Sequence, residues 1–169
     1  MNKLNEQPDE TGTDYNHHSD KRVLHPVRDR DDWPRLAPEG EAVRQIAVID
    51  CETTGLAVER HQIIELCIAI VLVNDAGHIV AVEVVRSGLI DPGHPLSAEI
   101  AELTGLTDAD LAGRSIDNDQ VAEMLASCDG AIAFNAGFDR AHLEKMLGRH
   151  VPVPWGCAMA DVPWRKLGF

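Results

Sequence analysis

The stretch Ile46-Ala47-Val48-Ile49-Asp50-Cys51-Glu52-Thr53-Thr54-Gly55-Leu56 decides the reading of this chain. It opens with apolar, mostly β-branched residues, which fit a buried strand. It closes with two acids and a tight turn. Strand side chains repeat with period two, so Asp50 and Glu52 point to the same side at the strand's carboxyl end. Two neighbouring carboxylates on an apolar strand repel each other and lose hydration. A divalent cation relieves both penalties, and Mg²⁺ takes oxygen ligands, one or two carboxylates among them, with retained waters. An isolated D-x-E more often marks a strand end turning into solvent. The residues beyond Glu52 decide between the two.

Composition sets the bounds. A chain of 169 residues is one domain with room for a core. Its 44% hydrophobic and 25% charged residues are those of a soluble globular protein. No apolar run approaches the ~18 residues of a membrane helix, the longest being the strand-length Leu66–Val73. The polar N-terminus lacks the apolar segment of a secretory signal, so a cytoplasmic location is expected. Cys51, Cys67, Cys128 and Cys157 are widely spaced with no C-x-x-C, which favours free thiols in a reducing compartment over a zinc site. The net charge of −13 argues against a broad nucleic-acid-binding surface. It leaves room for a metal-dependent nucleic-acid enzyme, because acids gathered around cations add to that charge and the cations reverse it locally.

Along the chain, residues 1–40 read as a polar, flexible arm with scattered prolines, one short helix near Ser19–Leu24 and an adjacent His17-His18 pair. Residues 41–169 read as the folded domain. Strands are expected over Gln45–Cys51, His61–Val73 and His78–Val85, the last two joined by an Asn74-Asp75-Ala76-Gly77 hairpin turn. Together they form an antiparallel meander. Ser97 caps a short helix over Ala98–Leu103, and Thr107 or Asp108 starts another turn to Leu111. A helix follows from about Asn118 to Ser127, then a buried strand, Ala131–Phe134. The helix Phe138–Leu147 stops at Gly148. Cys157–Val162 reads as a further strand. A meander followed by alternating helices and strands is the pattern of an α/β fold with a mixed sheet and helices on both faces. If the first strand and Ala131–Phe134 are neighbours, Asp139 joins Asp50 and Glu52 outside the strand ends, where open α/β sheets place ligands.

These residues resemble a known family. Asp50-Cys51-Glu52-Thr53-Thr54-Gly55-Leu56 is similar to the first motif of the DEDD superfamily of 3′→5′ exonucleases, the DnaQ-like group that includes the proofreading epsilon subunit of bacterial DNA polymerase III. Asn135-Ala136-Gly137-Phe138-Asp139 resembles the second motif, N-x-x-F-D. Leu103-Thr104-Gly105-Leu106-Thr107 matches the segment between them, and the likeness covers about Arg44 to Phe169. The resemblance implies a ribonuclease H-like fold. It implies Asp50, Glu52 and Asp139 as catalytic metal ligands for two Mg²⁺ or Mn²⁺ ions, about 3.5–4 Å apart in such sites. It places Thr53, Thr54, Gly55, Leu56, Asn135 and Phe138 against the substrate, with Leu56 and Phe138 on the terminal bases. Glu65 is either a further acid of this site or the partner of a nearby arginine. The implied substrate is a single-stranded 3′ end, DNA in preference to RNA. The implied partner is a DNA polymerase subunit.

One part of the family pattern has no counterpart. The third motif, H-x-x-x-x-D, supplies a general base and a fourth acid, and no histidine here is followed five positions on by aspartate. His142, His150 and Asp161 do not fit it. The reading is therefore of an exonuclease domain ending before its third motif, with impaired hydrolysis. The alternatives are a non-catalytic module that binds a metal, a 3′ end or a polymerase, and the product of a decayed gene.

Overall fold

The structure is a computed structural model that describes residues 32–167. The expected Ser19–Leu24 helix and the His17-His18 pair lie outside them. From Pro34 onward the chain forms one compact unit. Its first residues lean on the sheet, with Val82 N donating to Pro34 O at 2.9 Å and Arg35 Nη1 to Val82 O at 3.4 Å.

Three long strands come first: β1 (Val43–Thr53), β2 (Ile63–Asn74) and β3 (Ile79–Leu89). The β2–β3 hairpin closes as its turn residues require. Asn74 Oδ1 accepts from Ala76 N at 3.1 Å and His78 N at 2.9 Å, and Gly77 takes φ +84°, where a side chain would be strained. Next come α1 (Ala98–Thr104), capped by Ser97, and α2 (Asp108–Leu111), whose Thr107 and Asp110 form a reciprocal capping box. Asp117 caps α3 (Asn118–Ala126) by accepting from two backbone amides. Strand β4 (Gly130–Ala133) leads through Asn135 into α4 (Ala136–Leu147), which ends at Gly148 with φ +63°.

The last segment departs from the sequence reading. Cys157–Val162 is not a strand. The strand is β5, Trp155–Cys157, and Ala158–Asp161 forms one helical turn, α5. Such a short apolar run carries no period to separate the two conformations. The outcome is set by one contact beyond the run and one within it. Ala131 N donates to Pro154 O at 2.9 Å, which draws residues 155–157 alongside β4. Asp161 Oδ2 accepts from Cys157 N at 2.7 Å and folds the next residues back.

The sheet order is β3-β2-β1-β4-β5, with β1–β2 and β2–β3 antiparallel and β1–β4 and β4–β5 parallel. It is a mixed five-stranded α/β sheet, and the condition on which Asp139 joins the other acids is met. The strand alternation separates two faces. Ala47, Ile49, Cys51, Leu66, Ile68, Ile70 and Ala131 face inward and pack with Leu125 of α3 and Leu143 and Leu147 of α4. Burying each such large side chain contributes about 1.5–3 kcal/mol. On the other face, where helices were also expected, Val48 and Ile132 stand side by side in the register and remain 39% and 40% exposed.

Candidate active site

The site lies at the carboxyl ends of β1 and β4. Asp50 and Glu52 fall on the outward face of β1, and Cys51 and Thr53, which alternate with them, are buried. Across β2, Glu52 stands opposite Glu65 and Asp50 opposite Cys67. Glu65 accepts from Ser87 Oγ at 3.2 Å, so its partner is a neutral hydroxyl on β3. Asp139 arrives on the first turn of α4 and is 5% exposed. Its carboxylate accepts from the Cys51 thiol at 3.3 Å. Burial pushes the Cys51 thiol up, and the neighbouring Asp139, Asp50 and Glu52 charges add to that. The thiol therefore stays protonated and serves as donor.

The acids share one electrostatic environment. Burial holds the Glu52 carboxyl above its usual range, and repulsion from Asp50, Glu65 and Asp139 raises it further. Burial likewise raises Asp139 against the lowering effect of the Cys51 hydrogen bond, and Asp50 raises it more. A cation between them would turn this mutual repulsion into shared attraction. The donor set is all hard carboxylate oxygen and fits Mg²⁺ or Mn²⁺. Among the described residues no group of three or more His, Cys, Asp or Glu side chains is placed to hold a metal ion. Mg²⁺ needs only one or two carboxylates, with waters and phosphate oxygens completing its shell. Asp50 and Glu52, on one face of β1, are the pair that could supply them, with Asp139 as their neighbour.

The loop after β1 is built from the motif itself. The β1–β2 register shifts between Glu52 and Thr53. Thr53 Oγ1 donates to Gly55 O at 2.8 Å. Thr54 Oγ1 contacts His61 Nδ1 at 3.2 Å and accepts from Gln62 N at 3.2 Å, which closes the loop on itself. Gly55 has φ +153°, and a Cβ there would lie 2.7 Å from His61 Cε1. The His61 ring thus occupies the space that any side chain at position 55 would need. Lys145 of α4 donates to Val58 O at 2.6 Å and His61 O at 2.8 Å and ties the loop to the helix. Leu56 projects into solvent at 84% exposure.

The structure does not treat the expected substrate residues alike. Leu56 and Asn135 are exposed, whereas Thr53 is buried and Thr54 is engaged within the loop. Phe138 is half-buried, its ring 4.4 Å from that of His142. His142 is 1% exposed and its Nδ1 lies 3.2 Å from Phe138 O. A carbonyl only accepts, so Nδ1 carries the proton. Nε2 is buried without a partner, so the ring belongs to the core and does not reach the acids as a base. The sequence reading passes over Phe134, which is 64% exposed at the end of β4. The alternation Ala131 in, Ile132 out, Ala133 in places it outward, although the sequence reads as a buried strand throughout Ala131–Phe134.

Comparison with known proteins now bears on this geometry. The RNase_T family model, described as Exonuclease, matches residues 47–162, well over half of the chain. A DNA polymerase III PolC-type protein of Lacticaseibacillus paracasei is 37% identical over 127 residues, covering 74% of this chain and 8% of that protein. The counterpart in Streptococcus agalactiae is 34% identical over 105 residues, covering 61% of this chain and 7% of that one. The chain thus spans less than a tenth of these curated relatives' length. Among solved structures, E. coli Exonuclease I in complex with a dT13 oligonucleotide aligns with TM-score 0.54 at 9% identity, over 68% of this chain and 28% of that one. That likeness is one of fold.

Proposed function

The chain belongs to the exonuclease family, and on that premise we propose that it carries a metal-dependent 3′→5′ exonuclease site acting on single-stranded DNA ends. The observation that carries this reading is that Asp50, Glu52 and Asp139 act on one another's charge at the carboxyl ends of β1 and β4, with the proton affinities of Glu52 and Asp139 raised by burial and by their acidic neighbours. Asp50 and Glu52 would hold a divalent cation from the outward face of β1, and Asp139 from the start of α4. The cation, when bound, neutralises phosphate charge and makes a nearby water more acidic. The chain's own residues do the rest. Cys51 holds Asp139 in place through its thiol. Gly55 leaves room for the His61 ring, which closes the loop after β1. Leu56 offers an uncharged surface to a terminal base, a contact that reads no sequence. The DNA preference and a polymerase subunit as partner follow from the likeness to PolC-type proteins.

Turnover by these 169 residues is expected to be low. No His-x4-Asp is present in these residues, the buried His142 turns its Nδ1 to Phe138 O, and general-base help is worth roughly 10²–10⁴-fold. The test uses a 5′-labelled single strand with Mn²⁺ at high protein concentration. A ladder shortening from the 3′ end, absent with Asp50→Asn, is the expected result. Internal cuts, or shortening from the 5′ end, would overturn the reading.

A second reading is favoured because, among the described residues, no three ligating side chains are placed to hold a metal ion: the chain binds a single metal or a 3′ end and does not cleave. Under it, Asp50→Ala abolishes Mn²⁺ binding in calorimetry while neither protein shortens DNA.

A further inference from the structure

We propose that Phe134 is a base-stacking residue that seats the end of a single strand beside Asp50, an inference that rests on the nuclease reading above.

The register places it. Parallel pairing of β1 and β4 aligns Val48 with Ile132 and Ile49 with Ala133. One residue further, Phe134 comes level with Asp50. Val48 and Ile132 point outward at about 40% exposure, so the alternation sends Phe134 and Asp50 to that same face. Phe134 is 64% exposed, the most open of the aromatic side chains among the large hydrophobics at the surface of the described residues. It ends a row of outward apolar side chains that runs along the sheet to the acids.

Its backbone is held on both sides. Phe134 O accepts from Met159 N at 2.8 Å, fixing it to α5. Directly after it, Asn135 O accepts from Phe138 N at 2.8 Å and Asp139 N at 3.1 Å, which locks the entry to α4. The ring therefore stands on a rigid support one residue from the turn that sets Asp139, as a substrate-positioning group requires.

The charge environment selects the contact. Asp50, Glu52 and Glu65 populate this face and repel phosphates in the absence of a cation. A neutral aromatic face binds a base without adding to that repulsion, and every base offers a π-face. Leu56 stands exposed on the loop beyond Glu52. The acids thus have one uncharged contact on the sheet and another on the loop.

Fluorescence anisotropy of a dye-labelled oligo-dT tests the proposal, with the full chain in Ca²⁺. Phe134→Ala is expected to weaken binding about fivefold, the low end of what one base–aromatic contact is worth. Phe134→Trp should bind at least as tightly as the wild type, and Phe134→Leu should fall near Ala. The melting temperature of Phe134→Ala should match the wild type, because the ring is exposed. Equal affinity of Ala and wild type, or full affinity of Leu, overturns the stacking role. A wild type that binds with this Ala–Trp contrast but never shortens DNA in Mn²⁺ upholds Phe134 and removes the nuclease reading. A wild type that neither binds nor cleaves removes both.

Discussion

Two rows of side chains on β1 lie one residue apart in sequence and obey different rules. Ala47, Ile49, Cys51 and Thr53 are at most 8% exposed and belong to the packed interior. Val48, Asp50 and Glu52 face the other way, with Val48 39% exposed. The inner row is judged by volume, since protein interiors are close-packed. The outer row is judged by charge and reach. The strand pattern thus lets a single segment hold the core and carry the chemistry, provided each substitution respects its side.

The largest effect that tests this division is Ile49→Ala. Ile49 is 2% exposed within the core cluster, and its truncation should cost about 2–5 kcal/mol in urea unfolding. A smaller loss would mean that the inner row is less tightly packed than its burial indicates.

Asp50→Asn comes next. Any DNA shortening should fall by at least about 100-fold, the scale seen when even the partner of a metal ligand is lost. Stability in EDTA should be unchanged or higher, because Asn removes a charge that repels Glu52 and Asp139. Marked destabilisation would place Asp50 with the structural row.

The third effect depends on pH. The Glu52 and Asp139 carboxyls are raised in the folded chain, so folding binds protons and the two groups cost stability as pH rises past their unfolded values. A divalent cation offsets that cost. Adding Mn²⁺ at 100 times its dissociation constant should stabilise the protein at pH 7.5 by about 2.7 kcal/mol. The gain should shrink as pH falls through the raised carboxyl range, where protons compete with the ion. A thermal shift that is independent of pH would place the ion elsewhere.

The smallest effect is Val48→Thr, expected within about 0.5 kcal/mol of the wild type because the side chain already meets water. A loss on the scale of Ile49→Ala would show that the outer face is covered in solution.

Local signals carry the sequence reading a long way. The meander, the caps at Ser97 and Thr107, the stop at Gly148 and the outward pair Asp50 and Glu52 all rest on patterns within a few residues. The reading fails where distant partners decide. The apolar pattern of residues 155–162 does not separate strand from turn, and the position of β5 comes from its pairing with β4, over twenty residues earlier. The contact of the Thr54 hydroxyl with His61, seven residues on across the loop, likewise has no local signal. Phe134 escapes notice because Ala131–Phe134 reads as a buried strand, whereas the structure leaves Phe134 exposed on the outward face set by the β1–β4 register.

The sheet order also bears on how the molecule comes to exist. Strands β1, β2 and β3 are consecutive and pair through short connections, so they close early and at little entropic cost. The β1–β4 pairing and the Cys51–Asp139 contact must wait, since that contact joins residues 88 apart in sequence. A chain caught after the first event holds a finished meander with two acids at its tip and none of the site's chemistry. The meeting of Cys51 and Asp139 is therefore a late step on the folding route, and the loss of Cys51 reactivity toward an alkylating agent during refolding would time it.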